Sequence, residues 1–222
     1  MSSCLTEKNT GTMKNKIIIM CALAMVMASC VKTKVYKVND ASRDWFADTA
    51  NLSFTMMDDN GIMQSMRFDA AESYTTETGT TVLFIPTDKG EHEHITQSGS
   101  NTYGKMRVST TISAYKHDDE HEGTDEFRMY FNEAIYAMHI DGNLFYPSKC
   151  YETDYNEGMD YTAEYLDSFE VSGKNYEGVM HIKLIDIGYP RTKNFPTEIY
   201  YAKHYGLIQC TLDKELTLHR LP

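Results

Sequence analysis

The sequence has few basic residues for the number of its acidic ones. Lys and Arg together number 21 against 32 Asp and Glu, so the 222-residue chain has a formal net charge of −11 with neutral histidines. Proteins that bind nucleic acid neutralise phosphates with clustered Lys and Arg and so release condensed counterions. A chain with the opposite balance repels a phosphate backbone, so nucleic acid is not an expected partner.

Long apolar runs are also scarce, and the longest extends only from Ile17 to Met27. A helix needs about 20 apolar residues to cross a bilayer, so this run is too short to be a membrane span. Lys14 and Lys16 precede it, and two small residues and a cysteine follow it. A basic end, a short apolar run and a small-residue cleavage site make up a secretory signal peptide, which we predict at residues 13–29.

The residues that close this signal, Val26-Met27-Ala28-Ser29-Cys30, resemble the lipobox of bacterial lipoproteins. The resemblance implies cleavage before Cys30 and lipid attachment to its thiol, although that family usually has Leu where Met27 stands. Each buried CH₂ adds about 0.8 kcal/mol to membrane binding, so two or three acyl chains such as palmitate anchor a protein stably. An ordinary cleavage site is the alternative, and it would release a free secreted domain.

Residues 1–12 precede the signal and contain no apolar segment. Because Met13 is a natural start position, we interpret these residues as an overextended translation start. Removal of residues 1–29 leaves 18 basic and 31 acidic residues, so the mature chain is more acidic still.

Residues 30–50 are interpreted as a lipidated tether that leads into a short helical segment around Trp45 and Phe46. The tether is basic, whereas some related lipoproteins reach the cell surface through an acidic patch directly after the lipidated cysteine. We therefore expect a cell-envelope protein, anchored in the outer membrane and facing the periplasm.

Cysteine is scarce, with five in the whole chain. Cys4 and Cys21 precede the cleavage site and Cys30 carries the anchor, which leaves Cys150 and Cys210 in the folded domain. In an oxidising compartment these two could form a disulfide if their Cα atoms lie within about 7 Å. Two buried free thiols are the equal alternative.

Sequence motifs for catalysis are missing. The chain has no G-x-S-x-G elbow, no C-x-x-C pair and no glycine-rich phosphate loop. We therefore predict a protein that is not an enzyme and has no catalytic residues. A hydrolase is the alternative, because catalytic triads assemble from positions that are distant in sequence.

Histidines and carboxylates cluster in two stretches that we interpret as loops. His92 and His94 lie in GEHEH, and His117 and His121 lie in HDDEHEGTDE. These residue types bind zinc, but no complete zinc signature is present. The second stretch also begins like an EF-hand loop, yet Met129 stands where a bidentate Glu is required. We expect solvated turns and no metal or cofactor, with a weak, irregular cation site in the second loop as the alternative.

Residues 51–222 are predicted to form a single domain that is mainly β and antiparallel, because no helical period persists there. An Asn-Gly pair between Leu52–Met57 and Ile62–Phe68 predicts a hairpin, and Asp88-Lys89-Gly90 predicts a second hairpin. Further strands are predicted at Met106–Ala114, around Phe127–Phe131, around Tyr136–Ile140, and at Leu144–Tyr146, Tyr165–Val171, Val179–Ile187, Thr197–Ala202 and Leu207–Leu212.

Two irregularities interrupt this pattern. The apolar phase shifts by one residue after Phe131, which predicts a bulge or bend near Asn132–Ala134. Tyr151–Tyr161 is acidic, polar and rich in tyrosine, and we interpret it as a loop.

Two motifs near the C terminus resemble those of an uncharacterised Gram-negative lipoprotein family. Val171, Gly173, Tyr176 and Val179 match V-x-G-x-x-Y-x-x-V, and Ile199–Ile208 matches I-Y-Y-A-K-x-x-G-L-I. Such domains are similar to lipoprotein-carrier proteins. The resemblance implies one strongly curved antiparallel sheet, a half-barrel or open barrel with little helix, around a hydrophobic hollow.

These observations favour a binding protein over an enzyme. The expected function is a non-catalytic envelope lipoprotein that binds an apolar ligand, such as an acyl chain, or a protein partner in the envelope. All sixteen tyrosines follow Cys30, so a glycan-binding accessory lipoprotein, with sugar rings stacked on an exposed aromatic face, is the alternative.

Overall fold

The computed structural model describes residues 33–82, 85–102, 106–114, 123–152, 155–185, 194–212 and 216–222. Within these ranges the chain forms fifteen β-strands, one four-residue helix and one short 3₁₀ turn. No described helix is long and apolar enough to cross a membrane. The prediction of a mainly β protein with little helix is confirmed.

Strands account for nearly all of the regular secondary structure in these ranges. The first part of the chain comprises β1 (Lys34–Tyr36), α1 (Asp40–Arg43), the 3₁₀ turn (Thr49–Asn51), β2 (Ser53–Asp58), β3 (Met63–Phe68), β4 (Glu72–Val82), β5 (Ile85–Asn101) and β6 (Arg107–Ala114). The second part comprises β7 (Asp125–Phe131), β8 (Ala134–Asp141), β9 (Leu144–Glu152), β10 (Tyr155–Met159), β11 (Tyr161–Val171), β12 (Lys174–Leu184), β13 (Pro196–Ala202), β14 (Gly206–Leu212) and β15 (Leu216–Arg220).

The described chain falls into two compact units. The smaller unit contains the described residues up to Tyr36 together with Thr76–His92. In it β4 pairs with β5, and β1 pairs with β5 in parallel so that Lys34 lies opposite Gly90. The Tyr36 ring stacks on the His92 ring with centroids 4.6 Å apart.

The larger unit contains Lys37–Thr75 and Glu93–Pro222. Its strands form one antiparallel sheet in the order β10-β9-β8-β7-β6-β5-β3-β2-β15-β14-β13-β12-β11. The sheet curves until β11 lies beside β9, which confirms the predicted strongly curved, open-barrel sheet.

One seam of this nearly closed sheet is not sealed by a strand ladder in the described chain. Side chains cross the seam instead. The Tyr161 hydroxyl donates to the Ala137 carbonyl, and Lys149 Nζ lies 2.5 Å from Asp160 Oδ1. The closure therefore depends on side-chain contacts rather than on paired backbone groups.

Strict alternation of side chains places the core inside the curved sheet. On β6 the residues Val108, Thr110, Ile112 and Ala114 are buried, as the sequence predicted. Successive side chains of a strand point to opposite faces, so Arg107 and its alternates lie on the outer face. Fully buried aromatic and aliphatic side chains fill the inner face: Phe127, Met129, Phe131, Tyr136, Ile140, Met180, Ile182, Ile199, Tyr201 and Leu207.

A hairpin turn, rather than a bulge, accounts for the predicted irregularity after Phe131. Phe131 on β7 lies directly opposite Ala134 on β8, and both are buried. The turn between them contains Asn132, whose φ of 52° is left-handed. The inward-facing residues Phe131 and Ala134 are thus three positions apart. The inward positions are therefore odd-numbered on β7 and even-numbered on β8.

The first predicted hairpin is confirmed and the second is displaced. β2 and β3 pair around Asp58, whose Oδ1 accepts hydrogen bonds from the amides of Asn60 and Ile62. β4 instead ends at Val82 and β5 begins at Ile85, so Gly90 lies inside β5 rather than in a turn. A β carbon on Gly90 would lie 2.9 Å from His92 Nε2, so close packing accounts for this glycine.

The interpretation of Tyr151–Tyr161 as a loop is wrong. Tyr151 and Glu152 complete β9, and β10 follows at Tyr155–Met159 before β11 begins at Tyr161. The acidic composition is compatible with strands because β9 exposes most of its side chains. The sequence Gly188-Tyr189-Pro190 also predicts a turn, and these residues lie outside the described ranges.

A short helical segment lies at the start of the larger unit. α1 and the 3₁₀ turn flank Trp45 and Phe46, which are both buried. The Asn39 amide donates to Asp125 Oδ2 over 3.0 Å, which fixes the start of α1 to β7. Burial raises the pKa of Asp125, and the hydrogen bond from the Asn39 amide partly offsets that rise.

Candidate functional site

The candidate site residues from the sequence do not lie together in two loops as predicted. Cys30, His117 and His121 lie outside the described residues. GEHEH is not a loop, because both of its histidines lie in β5. His94 Nδ1 lies 2.7 Å from the Ser113 hydroxyl, and its ring stacks on Tyr74 with centroids 5.0 Å apart. In the described part of the chain, no cluster of three or more His, Cys, Asp or Glu residues could hold a metal ion.

Neither cysteine of the folded domain is in a disulfide. Cys150 on β9 and Cys210 on β14 are both buried thiols. Burial raises the pKa of Cys210, which keeps the thiol protonated. Of the two alternatives left open by the sequence, the structure therefore has two buried thiols rather than a disulfide.

A titratable cluster lies on β11, β12 and β13 around His181. Its Nδ1 lies 2.7 Å from Glu164 Oε1 and its Nε2 lies 2.8 Å from Glu198 Oε1. The ring also stacks on Tyr200, with centroids 4.3 Å apart. Burial acts to raise the pKa of Glu198, but the hydrogen bond from His181 and the charge of Lys183 hold it below its usual value.

Both nitrogens of the His181 ring are already engaged by carboxylates. A general base must present an unengaged atom to the substrate proton, whereas both nitrogens of His181 face carboxylates. Burial, together with the charge of Glu198, raises the pKa of Tyr200 to about 12, so its hydroxyl stays protonated at neutral pH. The arrangement is that of a cross-strand clamp over three strands.

A groove on the outer face of β3, β5, β6 and β7 has the composition of a binding site. It encloses about 470 Å³, and its lining contains Arg67, Asp69, Ser98, Gly99, Ser100, Arg107, Val108, Ser109, Tyr130 and Asn132. We call it the arginine groove. Backbone and side-chain contacts fix its end, since Asn132 Oδ1 accepts a hydrogen bond from the Arg107 amide over 2.9 Å.

The arginine groove continues into an aromatic row that follows the strand register. Tyr130 on β7 pairs with Ile135 on β8, which pairs with Tyr151 on β9. Both tyrosines are well exposed, at 39% and 40%. Adjacent strands lie about 4.8 Å apart, so the two tyrosine Cα atoms are separated by about 10 Å.

The row extends in the other direction through hydroxyl groups. Tyr130 pairs with Ser109 on β6, and Ser109 pairs with Ser98 on β5. The two serine hydroxyls lie 2.9 Å apart. Five strands therefore present one line of side chains that is polar at one end and aromatic at the other.

A second open cleft, of about 380 Å³, lies between α1 and the sheet. It contains Arg43, but that guanidinium is already paired with Glu93, with Nη2 2.7 Å from Oε2. The rest of its lining is mostly small or apolar, including Phe46, Ala47 and Ile95. This cleft therefore offers fewer free polar groups than the arginine groove does.

The two C-terminal motifs serve packing. Val171, Tyr176 and Val179 from the first motif and Ala202 and Ile208 from the second form one buried cluster. Gly173 adopts a φ of +79° in the turn between β11 and β12, a conformation that favours glycine. The motif residues thus build a hairpin pair rather than a reactive site.

The outer face of the sheet could be predicted from the sequence, but the arginine groove could not. Alternation placed Arg107 and Ser109 on one side of β6 and Tyr130 on the exposed side of β7. Alternation does not indicate which strands are neighbours in the sheet. Tyr151 was also assigned to a predicted loop, whereas it lies in β9. Comparison of the chain with protein-family models, curated proteins and solved structures gives no match.

Proposed function

We propose that this chain is an envelope lipoprotein, anchored through Cys30, that binds carbohydrate on the outer face of its sheet without catalysing a reaction. The observation that carries the proposal is the register-aligned row Tyr130–Ile135–Tyr151 beside a groove lined by hydroxyl and amide groups. The anchor follows from the lipobox, and the expected location is the outer membrane, facing the periplasm.

The chemistry of this face matches that of an extended oligosaccharide. Aromatic rings offer flat apolar surfaces to the C–H faces of sugar rings, and tyrosine adds a polar hydroxyl. Serine hydroxyls and asparagine amides both donate and accept hydrogen bonds, as sugar hydroxyls do. Two exposed tyrosines on alternate strands can therefore contact successive parts of one ligand, while Ser98 and Ser109 bind its hydroxyl groups.

The packing of the sheet interior favours this outer face over an internal ligand. A side chain that lined an internal cavity large enough for water would keep some accessible surface. Phe127, Tyr136 and Tyr201 in the sheet interior are 0% exposed, so no such cavity borders them. An acyl chain would have to displace such close-packed groups at considerable cost. A solvent-facing polar and aromatic groove accepts a ligand without disturbing the core.

The non-catalytic assignment is supported by the His181 clamp. This cluster joins a histidine, carboxylates and a hydroxyl, but both ring nitrogens are held by Glu164 and Glu198. Hydrolysis needs a base that can accept a proton from water or from a nucleophile. Binding requires no such group.

Affinity electrophoresis of the detergent-solubilised, full-length mature protein through gels containing neutral or acidic polysaccharides tests the proposal. We expect retardation by at least one polysaccharide, and we expect Tyr130→Ala combined with Tyr151→Ala to weaken binding by about tenfold or more. Tyr74→Ala is the matched control, since Tyr74 is an exposed tyrosine outside the row. Migration unaffected by every polysaccharide, or retardation that survives the double substitution, would reject the proposal.

A further inference from the structure

We infer that the carbohydrate is acidic and that its anionic group is held between Arg67 and Arg107. This inference rests on the proposed carbohydrate site and specifies the class of sugar that it takes. The shared chemistry is a sugar bearing a carboxylate or a sulfate ester.

The strand register brings the two guanidinium groups to one place. Arg67 on β3 pairs with Ser100 on β5, and Ser100 pairs with Arg107 on β6. The three residues form a row across three adjacent strands, so the two arginine Cα atoms lie about 10 Å apart with the serine between them. Both arginines are exposed and line the same groove. Their long side chains can therefore converge on one ligand group above Ser100.

These two cations are uncompensated within the described chain. Arg43 is paired with Glu93 and Arg128 with Glu126, while Arg220 donates to the Tyr205 carbonyl. In the described ranges, neither Arg67 nor Arg107 has a carboxylate within 4.0 Å or a side-chain hydrogen bond. The groove thus keeps two free guanidinium groups in a strongly acidic protein.

The charge of the groove favours an anionic ligand. Its lining contains two arginines and one carboxylate, Asp69. Two neighbouring like charges repel each other, and an anion between them removes that repulsion. A guanidinium presents a planar fork of N–H donors that matches carboxylate and similar oxyanions bidentately. Asp69 is left to accept hydrogen bonds from sugar hydroxyls.

Position in the groove links the anion site to the aromatic row. Arg107 lies next to Ser109 along the outer face of β6, and Ser109 pairs with Tyr130. An anion above Ser100 therefore lies beside the row of paired residues that runs from Ser109 through Tyr130 to Tyr151. A single acidic oligosaccharide can place its charged substituent between the arginines and its rings along the tyrosines.

Isothermal titration calorimetry on the full-length mature protein in detergent tests this inference. The probes are oligogalacturonate, its uncharged methyl ester, and sulfated oligosaccharides prepared from carrageenan, which carry no carboxylate. We expect at least one acidic probe to bind about tenfold or more tightly than the methyl ester. The two acidic probes distinguish a carboxylate ligand from a sulfate ligand. Added sodium chloride is expected to weaken the acidic probe selectively, because salt screens exposed charges.

Substitutions separate the arginines from the rest of the site. Arg67→Gln combined with Arg107→Gln is expected to lower affinity for the acidic probe by about tenfold or more, so that the preference for the acidic probe over the methyl ester is lost. Lys183→Gln is the control, because Lys183 is an exposed cation on β12 that does not line the groove. Circular dichroism verifies that each variant is folded.

The outcomes distinguish the two proposals. Equal affinity for acidic and uncharged probes, or full acidic affinity in the double arginine variant, overturns the acidic-sugar inference and leaves the carbohydrate site standing. Absence of binding to any of the three probes and to the polysaccharide gels overturns both.

Discussion

The side-chain amide of Gln97 forms a two-point contact with the backbone of Ala47. Its Oε1 accepts a hydrogen bond from the Ala47 amide over 2.9 Å, and its Nε2 donates to the Ala47 carbonyl over 3.1 Å. The same Nε2 also donates to the Asp69 carbonyl, again over 3.1 Å. Gln97 is only 1% exposed, so one buried side chain holds two separate stretches of backbone against β5.

Replacement of Gln97 by Ala is expected to destabilise the protein by about 2 to 4 kcal/mol. The substitution leaves the buried amide and carbonyl of Ala47 without partners, and each unsatisfied group costs about 1 to 3 kcal/mol. Gln97→Glu retains the shape but places an oxygen against two carbonyl oxygens, so it is expected to destabilise as well. Urea unfolding followed by circular dichroism measures both effects.

Gln209→Ala is the matched control for this position. Gln209 is a half-buried glutamine on β14 whose side chain has no hydrogen bond among the described residues. Its replacement is expected to change stability by no more than about 0.5 kcal/mol. Equal losses at Gln97 and Gln209 would show that the two-point contact adds little.

Glu93 is expected to make the stability of the protein depend on acidity. Its Oε2 lies 2.7 Å from Arg43 Nη2 and 3.1 Å from the Val38 amide, and its Oε1 accepts from Ser73 over 3.0 Å. Burial acts to raise the pKa of Glu93, but the hydrogen bond from Arg43 and the others hold it below its ordinary value of 4.5.

The direction of the pH effect follows from this lowered pKa. The folded state binds the proton less readily than the unfolded chain does, so the stabilisation is present above about pH 4.5 and is lost as the pH falls below it. Glu93→Gln is expected to flatten the loss of unfolding free energy between about pH 5 and pH 3. Denaturant unfolding at a series of pH values measures the slope.

A surface glutamate provides the comparison for Glu93. Glu170 on β11 is exposed and has no hydrogen bond or ion pair in the described chain outside the strand ladder. Glu170→Gln is therefore expected to keep the wild-type slope. A Glu93→Gln protein with an unchanged acid slope would contradict the role assigned to the Arg43 contact.

Local patterns in the sequence were sufficient for the fold class and for many of the strands. The alternation from Val108 to Ala114 identified the inner face of β6 because one face of a curved sheet is buried and the other is wet. The Asn60-Gly61 pair located the first hairpin because Gly61 adopts a φ of +77° in the turn. Both signals depend on neighbouring residues alone.

Tertiary packing explains why other patterns misled. Asp88-Lys89-Gly90 has turn composition, but Gly90 is a strand residue whose missing side chain makes room for His92 and Tyr36. Likewise, Gly158 on β10 accommodates Lys149 and Tyr151, since a β carbon there would lie 2.9 Å from Lys149 Cβ and 3.1 Å from Tyr151 Cε1. A glycine that is needed because another side chain packs closely against it cannot be distinguished in the sequence from a glycine that is needed for a turn.

The candidate site could not be assembled from the sequence for a different reason. Arg67 and Arg107 come together only because β3 pairs directly with β5, although β4 lies between them in the sequence. Tyr130 and Tyr151 align only because of the β8–β9 register, which contains an irregularity between Tyr136 and Met138. Strand order and register are long-range properties that side-chain alternation does not encode.

Replacement of Ile208 by Ala tests whether the C-terminal motif is structural. Ile208 is fully buried against Val171, Tyr176 and Val179. The substitution is expected to cost about 2 to 5 kcal/mol, through lost burial and the cavity that remains. Ile185→Ala is the control, since Ile185 is 64% exposed. Chemical denaturation measures both, and a similar small loss in the two proteins would rule out the packing role.

The proposed envelope location depends on the proposed lipid anchor, and Cys30→Ser tests that anchor. In cells supplied with radiolabelled palmitate, the wild-type protein is expected to incorporate label and to fractionate with membranes. Each buried CH₂ adds about 0.8 kcal/mol, so losing all acyl chains is expected to release the protein or leave an uncleaved precursor. Cys21→Ser lies within the apolar run and is expected to retain both label and fractionation. An unlabelled wild-type protein whose fractionation is the same with serine at position 30 would overturn the anchor and, with it, the proposed location of the carbohydrate-binding face.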